Sequence, residues 1–166
     1  MNAHEKKQKK AYYAHLLEGR VKGYFSLPQN QQIELVTLKD KSLLKAFLDL
    51  DCLCDAAVFK LIEIADKDFL EFYLKICFFA KNEELFLLQT AEESFPRGYS
   101  NFKTYVKHYY LDDPAELRLV QSGNKKLFRA YITHHGIVSD AARRALLQNE
   151  HLVKIYKKQW PRVSWL

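Results

Sequence analysis

Glycine and proline are scarce in this chain, five and four residues among 166. A turn-rich β architecture needs both at its corners, so their scarcity argues against one. The abundance of Leu, Lys, Ala and Glu favours helix. Cysteine is scarcer still. Cys52, Cys54 and Cys77 are odd in number and irregularly spaced, which argues against a disulfide framework and fits a reducing, cytoplasmic setting. Thiols of this kind are expected in core or half-buried positions. Long apolar runs are missing: stretches such as "LKICFFA" fall far below membrane-spanning length. The basic start "MNAHEKKQKK" leads into no apolar run of signal length, so no secretory signal is read there. There is no glycine-rich phosphate loop, no H-E-x-x-H and no serine elbow. The sequence therefore supports no enzyme activity, catalytic residue or cofactor.

What is present is a core and a repeat. Apolar residues make up 48% and charged residues 28%, the balance of a folded chain rather than a disordered one. One pattern recurs along the chain. A large apolar residue is followed three positions later by an aromatic: Leu44 and Phe47, Leu70 and Tyr73, Phe102 and Tyr105, Phe128 and Tyr131, Val153 and Tyr156. A second apolar element precedes each of these, as in "IELVTL", "EELFLLQTA", "AELRLVQSG" and "AARRALLQN". Apolar residues three and four apart share one side of a helix. Asp40, Asp66, Asn124 and Asn149 lie in the polar breaks between the two elements, where their side chains are expected to cap the second helix.

The expected fold is all-α: a short α-solenoid of stacked helical hairpins, with about 25 residues per repeat. Residues 1–30 are expected to form a basic N-terminal helix and cap, frayed over Met1–Lys10. Residues 31–160 form the helical-repeat domain, and 161–166 a C-terminal tail or cap. "ESFPRGYS", with Pro96 and Gly98, is read as an expanded corner. Tyr73, Tyr105, Tyr131 and Tyr156 are expected to pack between hairpins, with their hydroxyls reaching an edge.

The copies "AELRLVQSGNKKLFRAYITHHGI" and "DAARRALLQNEHLVKIYKKQW" carry a resemblance to short two-helix repeats of the α-solenoid class, HEAT- and armadillo-like in kind but with shorter units. The resemblance covers roughly residues 31–160. It implies scaffolding or the recognition of protein or nucleic acid, and it brings no catalytic residues.

His108 and His134 occupy equivalent places after Tyr105 and Tyr131, and His135 follows. Spacing fixes no third ligand, so no metal site is expected; the histidines should serve the carbonyls at helix ends. The carboxylate pairs Glu83–Glu84, Glu92–Glu93 and Asp112–Asp113 fall at helix starts and around the corner, where solvated negative charge is ordinary.

Charge is segregated. Residues 31–114 hold ten Lys/Arg against fifteen acidic residues, whereas residues 115–166 hold ten against three. The candidate partner-binding residues are Arg118, Lys125, Lys126, Arg129, Arg143, Arg144, Lys154, Lys157 and Lys158. Such a polarised end attracts an acidic partner. The first expectation is a non-catalytic adaptor that binds an acidic protein surface. The second is a nucleic-acid-binding protein that contacts phosphates. No membrane partner is expected.

Overall fold

The computed structural model describes residues 1–165. Among them the chain forms eleven α-helices and separates into two compact units, divided after Cys77. The first unit holds α1 (Ala3–Leu17), α2 (Gln29–Thr37), α3 (Lys41–Leu48), α4 (Asp55–Ile64) and α5 (Lys67–Leu74). The second holds α6 (Lys81–Glu93), α7 (Arg97–Val106), α8 (Asp113–Gln121), α9 (Lys125–Ile132), α10 (Asp140–Leu147) and α11 (Glu150–Gln159).

The helix starts are set by local chemistry. Free N–H groups open every helix, and a short polar side chain just before the first turn satisfies one or two of them. Asp40 accepts from the N–H groups of Ser42 and Leu43, and Asp66 from that of Phe69. Asn124 accepts from Lys126 and Leu127, and Asn149 from Leu152. All four expected caps are in place. Gly123 precedes Asn124 at φ +64°, a left-handed conformation that ends α8 without the Cβ penalty.

Packing joins the helices in rows. In the second unit α6 lies against α8 and α8 against α10; α7 lies against α9 and α9 against α11. We call these row A and row B. In the first unit α2 packs on α4 and α1 on α3. The recurring aromatics are buried: Phe47, Tyr73, Phe102, Tyr105, Phe128, Tyr131 and Tyr156. Val153, in the last copy, is half-buried. One further buried apolar residue sits in each loop after α3, α5, α7 and α9: Leu53, Phe79, Leu111 and Ile137. These pin the connection leading to the next helix, and each lies six residues after the recurring aromatic of its copy, Phe47, Tyr73, Tyr105 or Tyr131.

The N-terminus differs from expectation. Met1–Lys10 is not frayed, because α1 begins at Ala3 with a capping box: Asn2 accepts from the Glu5 N–H at 2.8 Å, and Glu5 accepts in return from the Asn2 N–H at 2.8 Å. Lys9 pairs with Glu34, and Lys10 pairs with Asp40 at 2.6 Å. The expanded corner is also smaller than expected. The extra residues extend α6 to Glu93, and α7 starts directly after Pro96. Gly98 then lies inside α7, buried against the α6 backbone.

At the other end the chain folds back. Trp160 donates its indole N–H to the Ile132 carbonyl at 2.9 Å. The Trp165 ring lies 5.5 Å from that of Tyr156 and 5.3 Å from the Arg143 guanidinium. Leu166 lies outside the described residues.

Candidate interaction surface

The charge of this surface follows from what the fold does with its acids. Glu83 and Glu84 are buried, not solvated as their helix-start positions suggested, and Glu116 is buried as well. Glu84 and Glu116 each occupy the fourth residue of a row A helix. The Tyr105 hydroxyl donates to Glu84, and the N–H of Asp112, the cap of α8, donates to the same carboxyl at 2.7 Å. The Tyr131 hydroxyl donates to Glu116 at 2.9 Å; the N–H groups of Val138 and Ser139 donate to it at 3.1 and 2.6 Å. Ser139 caps α10. Each carboxyl thus ties a tyrosine of row B to the start of the next row A helix.

In the first unit Gln32 holds the same helix position and does the same work with a neutral amide. It accepts from the N–H of Cys54, the cap of α4, at 2.7 Å and donates to the Leu27 carbonyl at 2.8 Å. Val58 holds that position in α4 and offers no acceptor; the Ala80 N–H is taken by Glu83 instead. In α10 the position is Arg143, which donates to the Ile137 carbonyl at 3.1 Å, and the Tyr156 hydroxyl accepts from the Ile137 N–H. Row B has ties of its own. His135, buried, sits with Nε2 2.6 Å from the Val106 carbonyl at the end of α7, and Trp160 reaches the matching carbonyl of α9. A signal for the buried acids existed in the sequence. Glu84 precedes Leu87 and Leu88, and Glu116 precedes Leu119 and Val120, at the three- and four-residue spacing of a buried stripe.

Burial pushes the Glu84 carboxyl up to about 7 despite its two hydrogen bonds, and burial raises Glu116 as well. Burial, followed by the neighbouring carboxylates, pushes the Tyr105 and Tyr131 hydroxyls up. The consequence for stability has a definite sign. Between about 4.5 and 7 the folded chain keeps the Glu84 proton while the unfolded chain releases it, so Glu84's contribution is full below that window and is lost as pH rises through it. His135, held down by burial, acts oppositely below its ordinary value of 6.5. Comparison with Glu84→Gln isolates the carboxyl. We expect wild type to lose about 2–3 kcal/mol relative to the variant between pH 5 and 8, measured as the difference in urea midpoints.

With these acids buried, the exposed charge sorts by row. The row B helices α7, α9 and α11 carry Arg97, Lys103, Lys125, Lys126, Arg129, Lys154, Lys157 and Lys158 against one acid, Glu150. The row A helices α6, α8 and α10 carry four Lys/Arg against seven acids, and with Glu83, Glu84 and Glu116 buried the outward charge there is balanced, four against four. The nine candidate residues divide accordingly. Arg118, Arg143 and Arg144 belong to row A. Arg118 pairs with Glu92 at 3.0 Å and Arg143 with Asp140 at 3.4 Å. The other six belong to row B, are exposed, and have no ion pair among the described residues. The Lys126 ammonium lies 4.9 Å from the centre of the Phe95 ring. Lys125 and Lys126 open α9, whose first turn has no acid. Positive charge is disfavoured at that end of a helix by about 0.3–1 kcal/mol, so their presence does nothing for the helix itself.

The remaining candidates do not converge. His108 and His134 are exposed, and no group of three or more His, Cys, Asp or Glu is placed to hold a metal ion among the described residues. None of the three cysteines is in a disulfide among the described residues; Cys52 is exposed rather than core, while Cys54 and Cys77 are half-buried. No described helix is long and apolar enough to cross a membrane.

The chain is thus an all-α protein with a repeat-like arrangement of short helices. Comparison with protein-family models, curated proteins and solved structures finds no match in any of the three.

Proposed function

We propose that the protein is a non-catalytic recognition or adaptor module, acting in the cytoplasm, whose row B surface in the second unit binds an acidic patch on another protein. The observation that carries this reading is the sorting of charge. Eight cations face one acid on row B, while Glu84 and Glu116 of row A are buried against Tyr105 and Tyr131. A surface of one sign steers an oppositely charged partner during approach and fixes its orientation.

Affinity capture from the native cell tests it, with and without nuclease. Wild type is expected to retain a stoichiometric protein in both cases. Lys154→Glu/Lys157→Glu is expected to lose that protein, and raised salt to weaken it. Lys81→Glu/Arg144→Glu makes the same change of charge on row A and is expected to keep it. Equal loss in both variants would contradict the assignment to row B.

A second reading gains from the same geometry. Lys125, Lys126 and Arg129 share row B with Lys154, Lys157 and Lys158, so these six cations are gathered on one row, as phosphate contacts require. Under this reading wild type shifts duplex DNA or single-stranded RNA at about 50 mM salt and releases it steeply as salt rises. Absence of any shift removes it.

A further inference from the structure

We infer that the groove between α9 and α11 is the specificity element of this surface, taking an acidic peptide segment of the partner by one aliphatic side chain; the inference rests on the protein-binding reading above. The groove is lined by Arg129, Ile132, Thr133, Ile155, Lys158 and Gln159 and encloses about 480 Å³. That is more than a single ion needs and comparable to pockets that hold small ligands or side chains.

The floor and rim differ in chemistry. Ile132 is buried and Ile155 half-buried, so the floor is aliphatic. Arg129 and Lys158 are exposed at the rim without an ion pair among the described residues. The Trp160 indole holds the Ile132 carbonyl at 2.9 Å, which fixes the end of α9 and with it one wall. An aliphatic anchor would release water from the floor, while flanking carboxylates meet the Arg129 fork and the Lys158 ammonium.

A nucleobase fits less well. Bases bind by stacking on rings or guanidinium planes; the groove's lining has no ring, and its one guanidinium, Arg129, stands at the rim beside two isoleucines. Of the exposed rings near this basic row, Phe95 already has the Lys126 ammonium over it.

The test is selection of a random peptide library on the immobilised full chain, followed by fluorescence anisotropy with the enriched peptides. The expected products carry Leu, Ile or Val flanked by Asp or Glu. Arg129→Glu and Lys158→Glu should each weaken them about tenfold, and Ile155→Ser similarly. Lys81→Glu, which lies off row B, should leave binding within about twofold of wild type. Thermal melts show which variants remain folded; the two exposed charge reversals keep the test decisive if Ile155→Ser does not. Enrichment of basic peptides, or no enrichment, overturns the inference. So does binding that ignores Arg129 and Lys158. Displacement of the peptides by single-stranded RNA, with the RNA itself indifferent to Ile155→Ser, assigns the surface to phosphates and also overturns it. If selection fails while the native partner is still captured through Lys154 and Lys157, the groove is wrong and the protein-binding reading stands.

Discussion

Tyr131→Ala is expected to destabilise the protein by about 3–5 kcal/mol. Two losses combine. The ring is wholly buried, so its removal leaves a cavity between α9 and its neighbours. The hydroxyl donates to Glu116, itself only 1% exposed, and that carboxyl would keep only the donors from Val138 and Ser139. Tyr131→Phe separates the terms: it keeps the ring and should cost about 1–2 kcal/mol. Urea unfolding of the three proteins gives both values. A change below about 0.5 kcal/mol in Tyr131→Ala, the size of an ordinary surface substitution, would show that the ring is not packed between helices.

Gly98→Ala is expected to cost about 3 kcal/mol or more, although it adds a single methyl group to a helix. In most helices this exchange is stabilising by up to about 1 kcal/mol, so the sign itself is diagnostic. A Cβ at residue 98 would sit 2.1 Å from the Thr90 carbonyl oxygen and 2.6 Å from its carbon. Both are backbone atoms of α6, which cannot move aside as a side-chain tip would. Relief requires α6 and α7 to separate, and these are the two helices of one hairpin. A thermal melt at or above the wild-type temperature would mean that the hairpin is more open than described.

Features written in short-range chemistry were legible in the sequence. Asp40, Asp66, Asn124 and Asn149 cap helices that begin at the next residue, and the Phe128–Tyr131 type of spacing marks a buried side within one helical turn. Glu84 was not read correctly, and Glu116 was not singled out, because a carboxyl in the first turns of a helix suits the helix dipole whether it is solvated or buried. What decides between the two is distant: Tyr105 and Asp112 lie 21 and 28 residues from Glu84 along the chain and meet it only through packing. The division of the nine candidate cations depends on how the helices pack: Arg118, Arg143 and Arg144 fall on row A, and Lys125, Lys126, Arg129, Lys154, Lys157 and Lys158 on row B, because successive helices alternate between the rows. Gly98 was misread for a related reason. A glycine after a proline signals a corner locally, and only the position of α6 reveals a close approach.

Lysine footprinting of the captured complex tests the central claim most directly. The free chain and the complex are labelled with an amine-specific reagent and compared residue by residue. The account predicts that Lys125, Lys126, Lys154, Lys157 and Lys158 lose reactivity in the complex while Lys39, Lys60 and Lys81 keep theirs. Protection of Lys39, Lys60 or Lys81, with the row B lysines labelled as in the free chain, would contradict it.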